Sequence, residues 1–173
     1  MVRDEADVLA ETIRHLLAQG VEPVLVADNL STDGTEQILR ELAAEHPQVL
    51  VASDAEPAYL QSAKITLLAE AAASAGAKWI IPFDADELWY GSRSTLAETL
   101  SAARAPIARA VVHNAFPSPD GGDGLRLDQS PHYDDKVAFR PFPGVVVAMG
   151  NHEVSRPGRS ESSLRILHRP WRS

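Results

Sequence analysis

The chain has 173 residues, of which 45% are hydrophobic and 23% charged, with a net charge of -8. That is enough chain for one domain with a substantial core, and the negative balance argues against binding a nucleic-acid backbone. There is no cysteine. Disulfides, a thiol nucleophile and a thiolate zinc site are thus excluded, and any metal would be a hard cation such as Mg²⁺ or Mn²⁺ held by oxygen or imidazole.

The apolar runs are too short to span a membrane, and Met1 leads straight into "VRDEAD". Neither a transmembrane segment nor a secretory leader is expected, and the expected location is cytoplasmic. The charge is unevenly placed: residues 1–135 hold 9 Lys/Arg against 22 Asp/Glu, whereas residues 136–173 hold 7 against 2. A basic C-terminal segment could fold over an anion bound to an acidic body, or it could be a solvated tail.

In chain order, Val8, Leu9, Ile13, Leu16 and Leu17 recur at helical spacing between Ala6 and Gln19, and Gly20 supplies a stop. Pro23 to Asp28 is an apolar run of strand length that ends on an acid. Asn29 to Thr35, "NLSTDGT", is loop chemistry, and a helix follows with Ile38, Leu39 and Leu42 on one face. Gln48 to Ser53 reads as a second strand, Gln61 to Gly76 as a third helix and Trp79 to Phe83 as a third strand. This alternation predicts a parallel, doubly wound α/β sheet, whose ligands bind beyond the carboxyl ends of the strands.

After Asp84 the pattern changes. Ser94 to Ala103 predicts a helix and Ile107 to Asn114 a strand, while "PSPDGGDG" (Pro117 to Gly124) is a loop. "KVAFR", "VVVAMG" and "SLRIL" then read as short strands without helices between them, which predicts an antiparallel C-terminal part. At the other end, only Met1, Val2 and Arg3 precede the first acidic turn. The opening strand is therefore either very short or trimmed from a longer chain.

The chemistry concentrates in "WIIPFDADELW", Trp79 to Trp89, where Asp84, Asp86 and Glu87 fall within four residues. Two unit charges about 4 Å apart repel by roughly 4 kcal/mol at an effective dielectric near 20. A divalent cation shared by Asp84 and Asp86 would offset that repulsion, although both acids could instead cap a turn or helix. Asp28, at the end of its own strand, could accept hydrogen bonds from a base or ribose, or satisfy the "STDG" turn, in which Asp33 is the turn or helix-capping residue. Asp4 and Glu5 either line the same edge or sit in a helix's first turn, where its dipole favours acids.

The basic segment offers Lys136, Arg140, Arg169 and Arg172 for phosphate, and His132, His152 and His168 as possible metal ligands.

Taken together, "VRDEADVL", "VLVADNLSTDGT", "WIIPFDADELW", "DDKVAFRP", "GNHEV" and "LHRPWRS" follow the order found in family 2-like glycosyltransferases, which this chain resembles over nearly its whole length. The resemblance implies a GT-A fold, Rossmann-like, with a mostly parallel sheet flanked by helices and a smaller antiparallel C-terminal part. It implies one domain over 1–173, with a nucleotide-binding half at 1–90 and an acceptor half at 91–173. The implied activity is metal-dependent transfer of a sugar, with inversion, from a nucleotide-diphosphate sugar of UDP or GDP type to a hydroxyl acceptor, using Mn²⁺ or Mg²⁺.

By the same resemblance, Asp84 and Asp86 match the metal-binding DxD motif and His168 a further metal ligand. Asp28 matches the nucleoside-reading acid, and Glu5 falls in the family's "NE" motif, where this chain has Asp4 in place of Asn. Lys136 and Arg172 resemble diphosphate contacts, and Glu87 orients the turn or a bound sugar. An inverting enzyme also needs a carboxylate base, for which Glu153 is the first candidate and Asp135 the second. The loop from Pro117 to Tyr133 would shape the acceptor site.

Two other readings stay open. One is a non-catalytic nucleotide-sugar-binding module. The other is an aspartyl-phosphate phosphatase, with Asp84 as nucleophile, although Leu88 stands where such motifs carry Thr or Val.

Overall fold

The computed structural model describes residues 1–118, 124–132 and 134–171. In chain order the elements are α1 (Leu9–Ala18), β1 (Val24–Asp28), α2 (Thr35–Glu45), β2 (Val49–Ser53), α3 (Gln61–Ser74), β3 (Glu87–Gly91), α4 (Leu96–Ala102), β4 (Ile107–Pro117), β5 (Leu125–Leu127), β6 (Lys136–Phe139) and β7 (Ser160–His168). The fold class read from the sequence is the one observed: mixed α/β, Rossmann-like and of GT-A type, with alternating strands and helices leading into a β-rich second half.

Helix α1 buries Leu9, Thr12, Ile13 and Leu16, the stripe its apolar spacing dictates. It stops at Gly20, which takes φ +77° while its N–H bonds Leu17 O and the next N–H bonds Leu16 O. A Cβ on Gly20 would lie 2.9 Å from the Cβ of Ala97, so glycine also lets α4 approach. Helix α4 opens with a capping box, in which Thr95 accepts from the Glu98 N–H and Glu98 accepts from the Thr95 N–H.

Strands β1 and β2 pair in parallel, Val24 opposite Val49 through Asp28 opposite Ser53. On the far side of β1, Val2 adds a single parallel bridge to Asp28. The second sheet runs in the order β3-β7-β4-β5, with β6 also paired to β4. The main core packs Leu9, Ile13, Leu16, Val26, Leu39 and the fully buried Trp89 against Leu164 and Ile166. Each such aliphatic side chain contributes about 1.5–3 kcal/mol on leaving water. A second cluster gathers Ile65, Ile80, Phe139 and Val147 beneath α3.

Three elements differ from expectation. Trp79 to Phe83 does not form a regular strand: Ile80 alone pairs, in one antiparallel bridge to Phe139, and Pro82 lacks an N–H for a ladder. The third strand instead begins at the last of the three acids, Glu87. The second half is not wholly antiparallel, because β7 lies between β3 and β4, antiparallel to one and parallel to the other. "VVVAMG" yields only a Val147 to Val154 bridge and a 3-10 turn at Met149–Asn151.

Candidate functional site

The turn "DADE" is closed by the Glu87 N–H, which donates to the Asp84 carbonyl at 3.2 Å. Helix α1 anchors it, since the Thr12 hydroxyl donates to Ala85 O at 2.5 Å. Glu87 then starts β3 opposite His168, the last residue of β7, and His168 is also paired with Asn114 of β4. Three strands thereby bring Asp84, Asp86, Glu87, Asn114 and His168 to one edge.

The acid repulsion has its answer here. The Lys136 ammonium, from the first residue of β6, is ion-paired with both Asp84 and Glu87. Glu87 is only 1% exposed and Lys136 7%. The Trp89 indole N–H and the Asp84 N–H donate to the other Glu87 oxygen, at 3.1 and 3.3 Å. Asp84 also accepts from Asn151 Nδ2 at 3.1 Å and from Gln61 Nε2 at 3.4 Å.

Burial pushes the Glu87 carboxyl up in pKa, opposed by Lys136 and reinforced by Asp84. For Lys136 burial works downward, but Glu87 and Asp84 override it and hold the ammonium above the usual lysine range.

Asp86 and His168 form a separate pair, Oδ2 to Nε2 at 3.4 Å. The other ring nitrogen, Nδ1, lies 2.9 Å from Asn114 Oδ1, a distance at which Asn114 orients the ring with Nε2 toward Asp86. A carboxylate oxygen and an imidazole held in this way have the donor chemistry of a divalent-cation site. Among the described residues no group of three or more His, Asp or Glu side chains is placed to hold a metal ion.

At the end of β1, Asp28 is 9% exposed. One carboxylate oxygen lies 3.4 Å from the Ser31 N–H, and the other is buried without a partner among the described residues. Around it two loops interlock. The Glu5 N–H donates to Thr35 Oγ1, the Ala6 N–H to Asp33 Oδ2, and Asp4 Oδ1 accepts from the N–H groups of Thr32 and Asp33. Asp33 Oδ1 accepts from the Thr35 N–H, which closes a turn just ahead of α2, whose N-cap is Gly34.

The other candidates lie as follows. Glu153 is exposed and accepts from the Arg109 guanidinium at 2.8 Å. Asp135 is half-buried next to Lys136, and its carbonyl faces His152 Nδ1 at 3.1 Å. Arg140 stacks over Trp79, and Arg169 pairs with Glu11 at 2.6 Å. His132 donates its backbone N–H to Val112 O. Arg172 lies outside the described residues, as do Tyr133 and 119–123 of the proposed acceptor loop.

Sequence reasoning passed over Asn151, Gln61 and Asn114. Asn151 had a local signal, because "GN" marks a turn with both residues at positive φ, here +77° and +61°. Gln61 and Asn114 had none, since each matters only through a partner far along the chain.

The fold and the acid-lined edge, where β7 ends and β3 and β6 begin, define an α/β protein with one polar site at that edge. The family comparison then names it: the chain belongs to glycosyl transferase family 2, whose model matches residues 1–153. It is thus a glycosyltransferase, in preference to the phosphatase and binding-module readings. No curated protein matches the chain. Among the described residues no helix is long and apolar enough to cross a membrane.

Proposed function

We propose that this glycosyltransferase takes its sugar from a nucleoside-diphosphate donor of UDP or GDP type and transfers it, with inversion, to a hydroxyl acceptor. The observation that carries the reading is the Asp86–His168 pair, with its ring oriented by Asn114, beside the Asp84–Lys136–Glu87 cluster. Asp86 and His168 would hold Mn²⁺ or Mg²⁺, and such a cation when bound stabilises the charge that develops on the departing diphosphate.

The chain's own residues have distinct parts. Asp28 offers its partnerless oxygen to a hydrogen-bond donor of the nucleoside, and the interlocked loop at Glu5 frames that position. Asp84, clamped by Lys136, Asn151 and Gln61, presents a carboxylate of fixed orientation to the donor, with Glu87 beneath it as the support. Lys136 keeps a positive charge under the diphosphate, and Arg172 would add another. The acceptor oxygen attacks the sugar C1, the bond from C1 to the diphosphate oxygen breaks, and the electron pair leaves with the nucleoside diphosphate.

A carboxylate takes the acceptor proton. Of the two candidates, Asp135 lies next to Lys136, whereas Glu153 already accepts from Arg109. We therefore favour Asp135.

Thermal melting with Mn²⁺ and a panel of nucleoside diphosphates tests the reading. Metal and diphosphate together are expected to raise the Tm more than the sum of their separate effects, and Asp86→Ala to abolish that excess. If no diphosphate shows the excess in the wild type, the metal-and-diphosphate reading is wrong.

A further inference from the structure

Three consecutive residues, Gly150, Asn151 and His152, each grip a different part of the candidate site. The Gly150 N–H donates to Oε1 of Gln61, the first residue of α3, at 2.8 Å. Asn151 Nδ2 donates to Asp84 Oδ1 at 3.1 Å, and Gln61 reaches the same oxygen through Nε2 at 3.4 Å. The His152 ring lies with Nδ1 3.1 Å from the carbonyl oxygen of Asp135. The Ala148 N–H closes the turn by donating to Glu153 O at 2.8 Å.

The His152 contact has only one sense. A carbonyl oxygen accepts and cannot donate, so Nδ1 carries the hydrogen. The β4–β6 ladder ends at Ala110 opposite Lys136, one residue short of Asp135, and there the ring takes over from the ladder. The ammonium of Lys136 clamps Asp84 and Glu87. The ring therefore holds the short stretch that supplies both this clamp and the carboxylate favoured as the base.

The backbone makes room for the ring. Gly150 takes φ +77° and Asn151 φ +61°, and a Cβ on Gly150 would lie 2.5 Å from His152 Cδ2. Glycine suits position 150 on both counts. Asn151 is 0% exposed, so the turn is packed into the protein rather than solvated.

We infer that His152 is a positioning residue of the transferase: through its Nδ1–H it pins Asp135 and the start of β6 to the turn that holds Asp84, so that the base and the donor-side carboxylate keep a fixed separation. The inference rests on the reading of Asp135 as the base. It gives His152 a part in proton removal from the acceptor and none in binding the donor. A displacement of about 1 Å at the reacting groups can cost roughly 10²-fold in rate. Loss of the contact should thus lower kcat and leave the KM of the donor nearly unchanged.

The test compares His152→Asn, His152→Gln and His152→Phe. Asn carries its amide nitrogen on Cγ, as the ring carries Nδ1, whereas Gln places its nitrogen one bond further out, near the position of Nε2. The assay follows release of nucleoside diphosphate, with water as acceptor, from a panel of UDP- and GDP-sugars with Mn²⁺. His152→Phe and His152→Gln are expected to lower kcat by roughly 10- to 100-fold with the donor KM within about threefold, and His152→Asn to recover most of the loss. Recovery by Gln and not by Asn would give the role to Nε2 and overturn the inference, as would wild-type kcat in His152→Phe. If His152→Phe does not fold, the comparison of Asn with Gln decides.

A second readout needs no turnover. The ¹⁵N shifts of the neutral ring should place the hydrogen on Nδ1, and the carbonyl ¹³C shift of Asp135 should move in His152→Gln and return in His152→Asn. A hydrogen on Nε2 overturns the inference even in an active enzyme. A wild type that cleaves no sugar nucleotide while its ring carries the hydrogen on Nδ1 would overturn the donor reading and support the clamp.

Discussion

Lys136 and Glu87 stand 49 positions apart in the chain, yet they form the most deeply buried ion pair among the described residues, 7% and 1% exposed. Such a pair adds little over an apolar packing of the same volume, but breaking it strands a charge. Lys136→Met is therefore expected to cost about 3–5 kcal/mol. That corresponds to a Tm lower by roughly 10 °C in a chain of this length. Adding Glu87→Leu should recover more than half of the loss, and a single variant that melts like the wild type would show the pair to be unimportant.

The same pair sets a pH dependence. Both groups hold protons more tightly in the folded chain: burial raises Glu87, and Glu87 with Asp84 raises Lys136 against its own burial. A group raised by folding stabilises below its unfolded value, and that stability is lost as pH climbs through the folded value. For Lys136 the unfolded value is 10.5, so its contribution is complete near pH 9 and declines as pH rises past 10.5. For Glu87 the loss sets in as pH rises above the ordinary 4.5. Urea denaturation of wild type and Lys136→Met should give a stability difference that is smaller at about pH 11.5 than at about pH 9. A constant or growing difference would contradict the assignment.

If Asp86 and His168 hold the cation, Asn114 matters without touching it, because its Oδ1 lies 2.9 Å from Nδ1 and orients the ring. Asn114→Leu should weaken Mn²⁺ binding in the presence of the preferred diphosphate by roughly 10–100-fold. Calorimetric titration measures this directly. Unchanged affinity would mean that His168 is not a ligand or that its orientation is set elsewhere.

Asp135 and Glu153 can be separated by kinetics once a donor is known. Asp135→Asn is expected to lower kcat by about 10²–10⁴. Glu153→Gln loses only a surface partner for Arg109 and should stay within a few-fold of wild type. The reverse ranking would return the base to Glu153.

Thr95→Ala removes one half of the α4 capping box. The expected loss is about 1 kcal/mol. Thermal melting should show it as a Tm drop of roughly 2–4 °C. No change would mean that α4 is held by Leu96 and Leu100 alone.

The first half of the fold was legible because its signals are local. α1, α2 and β1 carry their own periodicity, and Gly20 stops α1 through its backbone. The strand at the acids was misplaced for a physical reason. Trp79 to Phe83 is the more apolar stretch, but only Ile80 pairs, whereas Glu87 can open a buried strand because Lys136 and Trp89 satisfy it there. The position of β7 between β3 and β4 depends on pairings between distant segments, which hydrophobic pattern cannot encode. The candidate acids could be named from sequence, but their division into an ammonium-clamped Asp84 and an imidazole-paired Asp86 could not.

The first turn also explains a letter in the sequence. Asp4 adopts φ +54°, a conformation that few side chains other than Asn and Asp accept readily, and its Oδ1 serves only as an acceptor, for Thr32 and Asp33. An amide oxygen could accept the same bonds, so Asp or Asn at position 4 spells the same knot between two loops. What the position requires is a short side chain with one inward oxygen.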